Sequence, residues 1–154
     1  RVRAHGEPAV AERYAPSVRH PVTDGVLPDG DYRDGRWLAW EGPDGRVTLD
    51  LGEARPLQAV GASFLQDMRS WIFMPRELVV EVSADGRNWR PAGSVGHEVP
   101  DREEGIFLAD LVVPLDGSPV RAIRFQAVNY GPMPEWHLGA GGDGFIFVDE
   151  LIVR

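Results

Sequence analysis

Short runs of alternating apolar and polar residues, broken by glycine and proline, fill the chain from residue 46 onward. "RVTLDL" (46–51) sets Val47, Leu49 and Leu51 on one face, the period-two pattern of a half-buried strand. "LQAVGASFL" (57–65), "RELVVEVS" (76–83), "GIFLADLVVPL" (105–115), "VRAIRFQAV" (120–128) and "FIFVDELIV" (145–153) continue the theme. They are rich in Val, Ile and Phe and are bounded by turn residues. Asp85-Gly86 in "SADGRNW" and Asp44-Gly45 in "GPDGR" are hairpin-turn signals. Helical periodicity is confined to "EPAVAERYA" (7–15). Short strands at regular spacing with dense turn signals predict an all-β protein, an antiparallel jelly-roll β-sandwich.

The 154 residues are the length of one domain. Residues 1–20 read as a lead-in from a preceding domain and 21–154 as the sandwich. With 43% apolar residues the chain has the material for a core. A net charge of -8 disfavours sequence-independent binding to nucleic acid or to an anionic membrane surface. No apolar run reaches the ~20 residues of a membrane helix, so no membrane insertion is expected. The absence of cysteine excludes disulfides, thiolate metal sites and cysteine catalysis. The chain opens on Arg1 without a start methionine or signal peptide, and is read as a piece of a larger protein.

Motifs for catalysis fail on context. "GAGGDG" (139–144) fits G-x-G-x-x-G, but a dinucleotide loop follows a strand and opens a helix, whereas these glycines precede a strand. "DGDYRDG" (29–35) has Arg33 where a calcium EF-hand loop needs Asp or Asn. His5, His20, His97 and His137 are scattered, and no serine lies in G-x-S-x-G. Adjacent Asp149 and Glu150 point to opposite faces of a strand and cannot flank one glycosidic bond. The domain is therefore read as non-catalytic.

Those two acids still need an account, because "FIFVDELIV" is apolar on both faces. Regular alternation groups Phe145, Phe147, Leu151 and Val153 with Asp149, and Ile146, Val148 and Ile152 with Glu150. An ionised carboxylate buried alone costs several kcal/mol or more. A salt bridge to Arg121 or Arg124, or exposure, is one account. A bound hard cation with Glu150 as an anionic ligand is the other. Asp24, Asp29, Asp31 and Asp34 lie in a glycine-broken loop that offers carboxylate and carbonyl oxygens of the kind calcium takes.

"VTDG…W" near the start, "VTLDLGEARPLQAVGASF", "VEVSADGRNW", "IRFQAVN" and the closing "VDELIV" together resemble the discoidin, or coagulation factor V/VIII type C, domain. That family is a galactose-binding-like β-sandwich and includes the family 32 carbohydrate-binding modules of bacteria. "YRDGRW", "FLQDMRSWIFMP" and "WHLGAGGDGFIFVDE" are similar to the C-terminal module of bacterial family 20 β-N-acetylhexosaminidases. The resemblance implies a structural calcium ion near the chain ends, held by Asp24, Glu150 and main-chain carbonyls. The family's usual "D-x-x-T-x-W" is replaced by a longer loop without the threonine, where Asp29 or Asp31 is the substitute ligand. It also implies an accessory domain of a bacterial glycoside hydrolase, acting outside the cell, in the periplasm or at the cell surface.

The resemblance places the sugar site on loops at one end of the sandwich. The candidate loops are "DGDYRDGRW", "LQDMRSWIF" and "PMPEWHLGAGG", and they carry Arg36, Gln66, Trp71, Trp136 and His137. A sugar offers a C–H face to aromatic rings and a rim of hydroxyls to polar side chains. Trp37, Trp40 and Trp89 are assigned to the core, while for Trp71 and Trp136 packing and binding stand level. Two functions follow. The first is a glycan-binding module that targets its parent hydrolase to galactose- or N-acetylhexosamine-containing glycans. The second is a structural accessory domain that packs on the catalytic domain and binds no sugar.

Overall fold

A computed structural model describes residues 3–7, 38–41 and 44–154. The described residues form two antiparallel sheets face to face. The first holds β1 (Arg3–Glu7), β3 (Gly45–Pro56), β8 (Pro119–Ala127), β5 (Leu78–Ser83) and β6 (Arg90–Val95), in the order β1-β3-β8-β5-β6. The second holds β2 (Leu38–Glu41), β9 (Phe145–Val153), β4 (Ala59–Asp67) and β7 (Ile106–Pro114), in the order β2-β9-β4-β7. Each of the six long runs identified by alternation lies on one strand. Val47, Leu49 and Leu51 are all buried and stand beside Val80, Ile123 and Phe125 of the same sheet within the main core. Trp40, Phe64, Ile146 and Val148 close that core from the other sheet. Each such side chain contributes roughly 1.5–3 kcal/mol by leaving water.

Three features differ from regular alternation. Arg3–Glu7, read as part of a lead-in, is instead an edge strand paired with Arg46–Asp50. Asp44-Gly45 makes no hairpin: β2 and β3 belong to different sheets, and the chain changes layer between them. Asp44 instead accepts the Asn129 backbone N–H at 2.8 Å, tying the start of β3 to the end of β8. The third feature concerns the acids of β9. Val148 pairs with Phe64 and Leu151 with Ala62, so Asp149 and Glu150 together oppose the single residue Ser63. This is a β-bulge, which advances the alternation by one. Leu151 consequently joins Ile146 and Val148 in the main core and not the face of Phe145 and Phe147.

The outer face of the second sheet carries a smaller cluster, Ala39, Leu65, Ile72, Phe145 and Phe147, with Trp71 packed against it. Asp85-Gly86 does turn a hairpin, between β5 and β6, with Gly86 at φ 80°. Trp89 beside it is only half-buried; Arg124 lies over its ring at 4.0 Å. Helix periodicity around 7–15 falls outside the described residues, except for Glu7 in β1.

Candidate functional site

β4, β7 and β9 end or begin at the same edge of their sheet, where Asp67 pairs with Ile106 and Leu65 with Phe147. Three segments extend beyond that edge: the 3-10 turn Met68–Ser70 with Trp71, the β6–β7 connection, and the β8–β9 connection. Between them lies a cleft of about 590 Å³. Trp71, Trp136 and Leu138 give it apolar surface, Arg69, Arg102 and Glu104 give it charge, and Met68 and His137 complete the lining. A volume of this order is that of a small-ligand site.

The glycine-rich loop in front of β9 is built around Trp71. A Cβ on Gly139 would fall 2.2 Å from the Trp71 ring, and one on Gly142 would fall 2.6 Å from it. Only glycine lets the loop backbone lie this close to the indole. Trp71 is itself held in the left-handed region, at φ 65° and ψ 24°, the one such non-glycine residue among those described. Its N–H donates to Met68 O at 3.1 Å, and its carbonyl accepts Phe145 N–H at 2.8 Å. A backbone in this region costs of order 1–3 kcal/mol and persists where its surroundings over-determine it.

His137 locks the same loop. It is 6% exposed, and Nδ1 accepts the Gly139 N–H at 2.9 Å. Nε2 therefore carries the hydrogen and donates it to Met68 O at 2.7 Å. Both ring nitrogens are used inside the fold, so the hydrogen-bonding role toward a sugar assigned to His137 is corrected to one of positioning. Gln66 is corrected likewise. It is 1% exposed, its Nε2 donates to Pro100 O at 2.8 Å, and its Oε1 accepts Met74 N–H at 3.4 Å. A buried amide satisfied at both ends steadies the β6–β7 connection and offers nothing to a ligand. Tyr130 braces that connection from the other side, donating its hydroxyl to Asp101 Oδ2 at 2.7 Å. Burial first, and then the Asp101 bond, push the Tyr130 phenol up to about 12. Phe73 stacks on Tyr130 at 4.5 Å between centroids.

Trp136 is half-buried. It meets Phe73 edge-on at 6.5 Å and carries the Arg102 guanidinium over its ring at 4.9 Å. Arg69 pairs with Glu104 at 2.8 Å across the rim. The structure thus brings Trp71, Trp136 and His137 together and turns Gln66 inward. Arg36, Asp24, Asp29 and Asp31 lie outside the described residues. Sequence reasoning missed Arg102, Glu104 and Leu138, together with Met68 and Arg69. The first two sit in "EVPDREEG", whose charge and proline are those of any solvated connection. Leu138, fully exposed, carried one legible signal, a large apolar side chain inside a glycine-rich loop.

Glu150 stands in the bulge, with its Oε2 buried. Arg121 and Arg124 are in the other sheet and pair with Asp50 at 3.3 Å and Glu81 at 3.6 Å. Among the described residues no three His, Asp or Glu side chains gather into a metal-binding group. A buried carboxylate oxygen is nonetheless the donor chemistry of a hard cation, so Glu150 fits the calcium reading.

No protein-family model and no curated protein matches this chain. Its fold is that of the CBM32 modules, discoidin-like β-sandwiches of the galactose-binding type. One is CBM32-3 from a family 31 glycoside hydrolase of Clostridium perfringens, 16% identical, with 99% of this chain and 90% of that one covered at TM-score 0.58. Another is CpGH89CBM32-5 from Clostridium perfringens in complex with GalNAc-β-1,3-galactose, 14% identical, covering 99% and 94% at TM-score 0.58. A third is the CBM32 of AlyQ in complex with 4,5-unsaturated mannuronic acid, 12% identical, covering 99% and 93% at TM-score 0.59. At these identities the likeness is one of fold.

Proposed function

We propose that this domain is a non-catalytic glycan-binding module of a secreted bacterial glycoside hydrolase, and that the cleft over β4, β7 and β9 is its sugar site. The observation that carries the reading is the grouping of Trp136, Trp71 and Leu138 with charged side chains in one open cleft. Exposed apolar surface beside fixed polar groups is what a pyranose ring with its hydroxyl rim requires. Among neighbours of the same fold, two hold a neutral and an acidic sugar and others belong to glycoside hydrolases, which supports the class of ligand and the parent. A terminal galactose- or N-acetylhexosamine-type residue is the starting ligand. Affinity is near millimolar, about -4 kcal/mol, because a shallow site competes with water for every hydroxyl. Tethering to the hydrolase raises the effective concentration and compensates for the weakness.

Titration of the isolated domain by calorimetry or chemical-shift mapping tests this, with Trp136→Ala as the informative variant. Trp71→Ala also removes the ring that the glycine loop is built around. Binding by the native domain that Trp136→Ala abolishes supports the site; equal binding by both puts it elsewhere. The structural-domain alternative draws on Ile106 and Leu108, 53% and 50% exposed on the edge strand β7. It takes over if a broad glycan panel shows no binding. We also propose a calcium ion held by Glu150, Asp24 and loop carbonyls, with Asp29 or Asp31 as a further ligand. Its place is structural, pinning the early loop to the last strand.

A further inference from the structure

We infer that the sugar taken by this cleft carries a carboxylate and that Arg102 is the residue that reads it. The inference rests on the cleft being the sugar site and specifies its ligand. The whole chain is acidic, at -8, yet the cleft is lined by Arg69 and Arg102 against Glu104 alone. Arg69 is engaged by Glu104 at 2.8 Å. Arg102 makes no ion pair among the described residues. The acid beside it in sequence, Asp101, is turned to the Tyr130 hydroxyl. Arg102 instead rests over the Trp136 ring, 4.9 Å from its centroid.

This arrangement leaves a planar fork of donors over one face of the Trp136 ring, within the lining of the cleft. A guanidinium pairs with a carboxylate through two parallel N–H···O bonds, a geometry that a neutral hydroxymethyl group cannot return. A neutral sugar can take single charge-assisted bonds from the fork to its hydroxyls, whereas a carboxylate fills both donors and meets the charge, so an arginine without an ion pair in this cleft favours the acid. The connection that carries Arg102 is also fixed from within, by Gln66 at Pro100 and by Tyr130 at Asp101. The fork is therefore presented by an anchored segment.

Matched pairs of ligands differing only at C6 test the proposal: methyl galacturonide against methyl galactoside, and the glucose and mannose equivalents. At low salt the uronide of at least one pair should bind about fivefold tighter than its neutral partner, the range of one solvent-exposed ion pair. That advantage should vanish in Arg102→Gln and shrink in 1 M salt, where the screening length is about 3 Å. Glu104→Gln should enlarge it by removing the competing acid. Arg87→Gln, the same charge change in the β5–β6 hairpin away from the cleft, should leave it intact. A uronide advantage in no pair, or one that survives Arg102→Gln, overturns the inference. Neutral sugars binding as well as uronides do so while leaving the module reading standing; no sugar binding at all removes both.

Discussion

Gly139→Ala is the most direct test of the idea that the glycine-rich loop exists to hold Trp71. The added methyl carbon would lie 2.2, 2.4 and 2.7 Å from three carbons of the indole, closer than side chains approach. Overpacking a filled site costs about 1–3 kcal/mol, and three such contacts put this one near the upper end. The φ of Gly139 lies outside the left-handed region, so the backbone accepts alanine. Loss of chain entropy in the unfolded state returns about 0.4–1 kcal/mol. The net expectation is a destabilisation of about 2 kcal/mol, which for a domain of this size lowers Tm by about 4–8 °C. Thermal unfolding followed by near-UV circular dichroism measures it.

A double-mutant cycle identifies the cause. In a Trp71→Ala background the added methyl group has no ring to meet, so Gly139→Ala should be neutral or slightly stabilising. The coupling energy between the two sites should therefore be about 2 kcal/mol. If Gly139→Ala costs the same with and without the indole, the clash is not with Trp71, and the loop is built for another reason.

Two further predictions concern pH and metal. Asp85 is held well below the ordinary carboxylate range by the N–H of Asn88, then that of Arg87, then the Asn88 and Ser83 side chains. Its folded value is depressed, so the stability it contributes is present above the unfolded value near 3.8 and is lost as pH falls below it. Tm scanned from pH 5 to about 2.5 should fall less steeply in Asp85→Asn than in the native chain, and parallel curves would refute the assignment. Calcium binding only the folded state should raise stability by about 2.7 kcal/mol at a hundredfold excess over Kd, and Glu150→Gln should lose the response. A Tm indifferent to calcium and to chelator would remove the ion from the account of Glu150.

The sandwich was legible because burial there follows period two. Val47, Leu49 and Leu51 declare their face without any tertiary information, and Asp85-Gly86 declares a turn. The cleft was legible only in its aromatic half. Trp71 and Trp136 stood in polar, glycine- and proline-shaped loops, where a large ring is conspicuous. Gln66 and His137 were misread because a polar side chain in a loop looks the same in sequence whether it faces water or satisfies buried backbone groups. The partners that decide the matter, Pro100 and Met68, are 34 and 69 residues away. Arg102 was missed for the converse reason: what sets it apart is its place over the Trp136 ring in the cleft, where the neighbouring acids Glu104 and Asp101 are taken by Arg69 and Tyr130. Asp44-Gly45 shows the limit of local turn chemistry, since the same dipeptide at a layer change does not join two paired strands.

The bulge in β9 answers why so apolar a strand carries two acids. In an unbroken strand Leu151 would share the outward face of Phe145 and Phe147, and the main core would lose a side chain that is 7% exposed. That burial is worth roughly 1.5–3 kcal/mol. Inserting one residue restores Leu151 to the core, and the insertion must fall where the ladder can open. A bulge leaves one residue unpaired and re-aims its neighbours, so it is the position in a central strand where a polar residue is least costly. Asp149 and Glu150 occupy that position, opposite Ser63, whose hydroxyl is itself turned to Asp110. The acids therefore do not interrupt the apolar pattern at random. They stand where it changes phase.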